Sequence, residues 1–220
     1  MGALQVSENS SRRRFLASAG IVAVGAAVPL LSSSSGNRLE AGARAKLEVS
    51  PDPGKPRLFA RAMAALDTHA NRVLHRDFIG VVDFAEASRV PRFHLIDLAS
   101  GQVTTHLVAH GSGSDPDRSG WVQRLSNQPD SNTSSRGAFL TGPSYSGKHG
   151  LSRRLQGLSP DNTLAESRGI VIHAASYVSE AFATAHGRIG RSQGCFAVAE
   201  DVIGDVLERL GPGRLIFAWK

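Results

Sequence analysis

Between Arg57 and about Arg76 the apolar residues Phe59, Met63, Leu66, Ala70 and Val73 recur every three or four positions, a spacing that predicts a helix. Two apolar runs follow, Phe78–Phe84 and Phe93–Leu98, both read as strands. Ser100-Gly101 supplies a turn into Gln102–Ala109, so the second run and this one should form a hairpin. Residues 110–137 are rich in Gly, Ser, Asp and Asn and form a long loop, a length that inside a compact domain is either functional or disordered. Short strands are predicted at Ala138–Thr141 and Gly169–His173. A helix is predicted at Glu200–Leu210, with Gly211 at its C-cap, and a closing strand at Arg214–Trp219. Strands outnumber helices and no βαβ alternation is visible. The expected class is therefore mainly β (α+β): one sandwich or barrel with a mostly antiparallel core and peripheral helices.

The N-terminus has a different pattern. Ser11-Arg12-Arg13-Arg14-Phe15-Leu16 precedes an uncharged run, Ala17–Leu31, and Ala43-Arg44-Ala45 resembles a small-residue cleavage site. That order is the n-region, h-region and cleavage site of an export signal, and the paired arginines before Phe-Leu resemble the twin-arginine type. Residues 1–45 are thus expected to be a signal peptide, read by the twin-arginine translocation machinery, and the mature chain to work in the periplasm or cell envelope. An uncleaved anchor is the alternative, although Gly20, Gly25 and Pro29 interrupt the run. Residues 46–56, with Pro51, Pro53 and Pro56, read as a linker, and 57–220 as a single catalytic domain.

Composition narrows the function. The chain of 220 residues is 41% hydrophobic and 20% charged, as expected of a folded globular protein. Its net charge of +6 is inflated by the signal: residues 1–45 hold five of the 25 basic and two of the 19 acidic residues, so the remainder carries only +3. With no Lys/Arg stripe left to neutralise phosphates, nucleic acid is not an expected partner. A single cysteine, Cys195, excludes a zinc ribbon, an iron–sulfur site and an internal disulfide.

Cys195 lies in His186-Gly187-Arg188-Ile189-Gly190-Arg191-Ser192-Gln193-Gly194-Cys195-Phe196, read as directly preceding the last helix. Glycines there let the backbone turn and present amides, and a thiolate beside such amides and Arg191 is expected to have a depressed pKa. Free amides next to a nucleophile also suit an oxyanion hole. A nucleophilic Cys needs a base, and His173, ending the apolar strand Ile170–Ile172, is the candidate, with His186 as a competitor. The bland readings stay open: Cys195 as a buried small hydrophobe and His173 as a core histidine.

These residues resemble the bacterial L,D-transpeptidases, which carry a His on a strand followed by Ser/Thr-His-Gly-Cys. Here His173 precedes Ser192-Gln193-Gly194-Cys195, and the similarity is to the murein L,D-transpeptidase catalytic domain branch, which tolerates another residue before the Gly. Ser135-Arg136-Gly137-Ala138-Phe139 and the Gly-rich segment Gly142–Leu158 resemble further segments of that family. The resemblance implies an L,D-transpeptidase-like domain that needs neither metal nor cofactor. Cys195 would attack the third residue of a tetrapeptide stem of peptidoglycan and expel D-Ala. His173 would take the thiol proton, oriented by the Ala174 carbonyl, while the amides of Gly194 and Cys195 hold the oxyanion. The acyl-enzyme would pass to another stem, giving a 3→3 cross-link, or to water, giving carboxypeptidase activity, and carbapenems would inhibit. Gln193 departs from the family's His, so that imidazole's role is absent or passes to an amide.

Other residues carry weaker expectations. Arg191 is a candidate for a stem carboxylate or a surface arginine, and Ser192 for the thiolate, the substrate or a turn. Tyr145 and His149 could line a peptide groove, Arg153-Arg154 reads as a solvated pair, and the remaining histidines as structural or exposed. The rival functions are a silent wall-binding module and a cysteine peptidase for ordinary L-L peptides.

Overall fold

A computed structural model describes residues 55–220. The expected signal at 1–45 and most of the expected linker lie outside those residues. The first element is a helix, α1 (Pro56–Thr68), opened by a proline at its first turn, where a missing N–H costs nothing. It stops earlier than its apolar spacing predicts: Thr68 bonds back to the Ala64 carbonyl, and the chain coils through tight turns up to Val73.

The strands are β1 (Phe78–Asp83), β2 (Phe93–Asp97), β3 (Val103–His106), β4 (Gly137–Gly147), β5 (Gly150–Gly157), β6 (Val171–Ala174), β7 (Phe196–Val198) and β8 (Leu215–Trp219). They form one sheet in the order β3-β2-β1-β8-β4-β5-β6-β7. Five of the seven pairings are antiparallel, including the expected β2–β3 hairpin, while β1–β8 and β6–β7 are parallel. Beyond β3 the chain reaches the far edge: the Ala109 amide donates to the Ala197 carbonyl at 2.8 Å, and Gly111 bridges Ser192. The sheet is thereby a nearly closed barrel around Phe84, Phe93, Phe139 and Phe196. Helix α1 packs Leu58, Phe59, Ala62 and Leu66 onto the other face of β1 and β8.

Two helices complete the fold, α2 (Glu180–His186) and α3 (Ile203–Arg209), the latter shorter than its predicted range. α2 corrects the reading that βαβ alternation is absent, because β6, α2 and β7 form such a unit. Parallel neighbours require a crossover of this kind. The seven-residue helix, capped by Ser179 and ended by Gly187 at φ +67°, is too short to show periodicity. Strand β7 stands between Cys195 and α3, so the cysteine does not directly precede the last helix.

Arg153 is a second correction. It is buried rather than solvated, donating to the carbonyls of Gly142 at 2.8 Å and Leu207 at 2.9 Å, and so ties β5 to α3. Among the described residues no helix is long and apolar enough to cross a membrane.

Candidate active site

Parallel pairing of β6 with β7 sets Ile172 beside Phe196 and His173 beside Ala197. Side chains alternate along a strand, and Cys195, one residue ahead of β7, continues that register to Val171. Cys195 and His173 therefore fall on one face of the pair, and both line a cleft of about 770 Å³. Tyr145, His149, Arg191, Ser192 and Gln193 line it too, as do Lys148, Arg168 and Tyr177.

His173 is 2% exposed. Its Nδ1 lies 2.8 Å from the Ala174 carbonyl; a carbonyl only accepts, so Nδ1 carries the proton and Nε2 is the basic nitrogen. Burial pushes its pKa down, the Ala174 carbonyl opposes this, and His149 and Lys148 add to the lowering. The Cys195 thiol donates to the Gly169 carbonyl at 3.6 Å. Burial pushes the thiol's pKa up, against the Val171 amide and the charges of Lys148 and Arg168. The expected depressed thiolate is thus not what the site holds, because desolvation outweighs the cations. Burial thus favours the neutral form of both groups.

Arg191 does not supply the field at the sulfur. One of its nitrogens donates to the backbone carbonyls of Ser112 and Asp115, pinning the long loop. Arg168, three residues ahead of β6, takes the place expected of Arg191. It donates to Thr133 O at 2.6 Å and Ser135 Oγ at 2.7 Å, and all its partners are uncharged, so its positive charge is not neutralised. A charged residue abutting a predicted strand was the available signal for Arg168.

The turn that leads into Cys195 is held from within. Gly194 sits at φ +115°, where a Cβ would stand 2.6 Å from the Thr133 carbonyl, so only glycine fits. Its amide donates to Ser192 Oγ at 3.0 Å, and that hydroxyl donates to the Cys195 carbonyl at 2.8 Å. The Gly194 amide expected in an oxyanion hole is therefore engaged inside the turn, and Ser192 acts as the turn former rather than meeting the thiol. Gln193 is exposed at the cleft rim.

Residues 110–137 form the wall behind this turn. Ser192 donates its amide to His110 O at 2.9 Å and accepts from the Ser112 amide at 2.8 Å. His110 is fully buried: Arg92 Nη2 donates to its Nδ1 at 2.8 Å, and its Nε2 lies 3.4 Å from Asp115 Oδ2. Arg92, also fully buried, donates to the carbonyls of Val108 and Glu86 as well. Sequence reasoning missed this buried trio, whose members lie 5 to 23 positions apart in the chain. Among the described residues no group of three or more His, Cys, Asp or Glu is placed to hold a metal ion.

His186 lies outside the cleft lining, at the end of α2, with its ring stacked on Phe182 at 4.1 Å.

Solved structures resembling the chain include an L,D-transpeptidase in complex with imipenem, at 15% identity and a TM-score of 0.40, covering 65% of this chain and 59% of that one. An L,D-transpeptidase from Mycobacterium smegmatis matches at 14% identity and a TM-score of 0.41, covering 66% of this chain and 59% of that one. L,D-transpeptidase 1 of Mycobacterium tuberculosis matches at 15% identity and a TM-score of 0.36, covering 64% and 60%. The chain thus spans about three fifths of the length of each. No curated protein matches it. The family model of the L,D-transpeptidase catalytic domain matches residues 53–219, from ahead of α1 to the end of β8 and across the whole cleft, and the chain belongs to that family.

Proposed function

We propose that this protein is a cysteine L,D-transpeptidase acting on peptidoglycan stem peptides in the periplasm. The observation that carries the reading is the His173 tautomer: with Nδ1–H held by the Ala174 carbonyl, Nε2 is basic in the cleft that holds the chain's single thiol. Because burial favours the neutral form of both groups, His173 acts as a general base, taking the thiol proton as sulfur attacks the carbonyl of the third stem residue. The tetrahedral intermediate collapses with loss of D-Ala, which leaves as the amine after accepting the proton from His173. A second stem's side-chain amine, or water, then attacks the thioester. With Gly194 engaged by Ser192, the oxyanion falls to the Cys195 amide, with the side-chain amide of Gln193 as the second available donor. Lys148, Arg168 and Arg191 surround the cleft with positive charge, facing Asp130, which suits a substrate bearing carboxylates.

A solved L,D-transpeptidase structure holds imipenem, and that compound is the probe. Intact mass spectrometry should show one imipenem adduct on the wild-type chain and none on Cys195→Ala. Release of D-Ala from a tetrapeptide stem should vanish in the same variant. No adduct on the wild type, or D-Ala release that survives Cys195→Ala, overturns the reading. Cross-linked product against trimmed stem, separated by chromatography, distinguishes transpeptidation from carboxypeptidase activity.

A further inference from the structure

The tip of the β4–β5 hairpin is a two-residue turn, Lys148-His149, between the paired glycines Gly147 and Gly150. It brings the His149 ring onto that of His173, with centroids 4.2 Å apart and planes 23° from parallel. His149 is exposed and, among the described residues, its ring has no hydrogen-bond partner, so this stack is the contact that defines its place.

His173 needs such a contact. Its single hydrogen bond, from Nδ1 to the Ala174 carbonyl, does not by itself fix the ring's rotation about the line of that bond. A flat ring against its face restrains that rotation and excludes water from that side.

We propose that His149 is a positioning residue for the base: the hairpin turn lays its ring over His173 and holds Nε2 in the orientation that receives the Cys195 proton. This rests on the reading of His173 as the base. The stack also disfavours the imidazolium, since covering the ring removes solvent from the charged form and sets a second imidazole against it. The charged and titratable groups that line the cleft with His173 are Tyr145, Lys148 and His149 from the hairpin, Arg168 ahead of β6, Tyr177 after it, Arg191 and Cys195 ahead of β7, and Asp130 on the long loop. His149 is the one stacked on its ring.

The test compares wild type, His149→Ala and His149→Phe in two ways. One follows the titration of the His173 ring by NMR, and the other follows the rate of imipenem acylation of Cys195 against pH by intact mass. His149→Ala should raise the His173 midpoint by about half a pH unit or more, because solvent returns to the ring. Its plateau acylation rate should fall about two- to tenfold, the factor an aromatic contact of ordinary strength represents. His149→Phe, which keeps a covering ring, should restore the plateau to within about twofold and keep the midpoint nearer the wild-type value. A His149→Ala variant that superimposes on wild type in both measurements, or a His149→Phe variant as impaired as Ala, overturns the proposal. Failure of the wild type to acylate defeats the enzymatic reading instead, and the ring titration still judges the stack.

Discussion

Gly194 donates its amide hydrogen to the hydroxyl of Ser192 two residues earlier, at 3.0 Å, and that hydroxyl donates in turn to the Cys195 carbonyl at 2.8 Å. One buried oxygen thus closes the turn that carries Cys195, and the backbone around the thiol is shaped by the fold itself.

Removing that oxygen should be costly. Ser192→Ala leaves a buried amide and a carbonyl without partners, a loss of about 2 kcal/mol in stability, read as a lowered thermal midpoint. Acylation by imipenem should slow more than tenfold as the turn loosens. Gly194→Ala should do worse, because a side chain at φ +115° meets the Thr133 carbonyl. Wild-type acylation in Ser192→Ala would show that the hydroxyl does not shape the nucleophile.

The two candidate bases are separated by a simple comparison. His173→Ala should slow acylation by at least about a hundredfold, within the range for loss of a general base. His186→Ala, on the outer end of α2, should be nearly neutral. Activity should rise with pH along a limb below the ordinary histidine value, because burial lowers the His173 pKa. A limb well above that value would contradict the buried, neutral base.

Acid should unfold the protein through a different histidine. Burial first, and then the Arg92 guanidinium, hold the His110 pKa down to about 4 against an ordinary 6.5, while Asp115 opposes them and Arg191 adds to the lowering. The unfolded chain therefore binds the proton more readily. Stability is full above about pH 6.5 and falls as pH drops toward 4, by up to about 3 kcal/mol. Protonated His110 would also turn Nδ1 into a donor facing the donor Arg92. Thermal midpoints measured from pH 8 to pH 4 should show the fall, and His110→Asn, uncharged throughout, should flatten it. An equally steep fall in that variant would assign the acid sensitivity elsewhere.

The proposed export by the twin-arginine route has a test independent of the chemistry. Replacing Arg12 and Arg13 with Lys should leave full-length protein in the cytoplasm, measured by fractionation, because the twin-arginine route reads the guanidinium pair. Unchanged periplasmic levels would defeat the signal assignment.

The strands that show in the sequence are those whose apolar runs face the barrel interior or α1, such as Phe78–Asp83 and Leu215–Trp219. β5 is hidden because an inward position carries Arg153, and the outer half of its hairpin with β4 is exposed and built from Gly, Pro and Ser. β7 is three residues long, too short for any period. Cys195 and His173 are legible as a pair because a lone cysteine and a strand-end histidine are local features. The thiol's protonation is not. It depends on burial against Lys148 and Arg168, drawn from elements 27 to 47 positions away. The sequence offers Arg191 as the neighbouring cation by proximity along the chain, yet the fold turns that residue to the loop carbonyls.

The seam between Gly111 and Ser192 joins residues far apart in the chain and lies beside the turn that carries Cys195. Such long-range contacts are expensive in chain entropy and form when most of the surrounding sheet is already in place. With Cys195 as the proposed nucleophile, folding and activation should consequently be a single event. A partly folded chain has its thiol but lacks the shaped turn and the seated base, so it makes a poor nucleophile toward bystander carbonyls. The same seam should report on the native state from the other direction: amide exchange at Ser112 and Ser192 should rise in step with loss of acylation under mild denaturant. Reactivity is then a property of the closed barrel, not of the Ser-Gln-Gly-Cys segment.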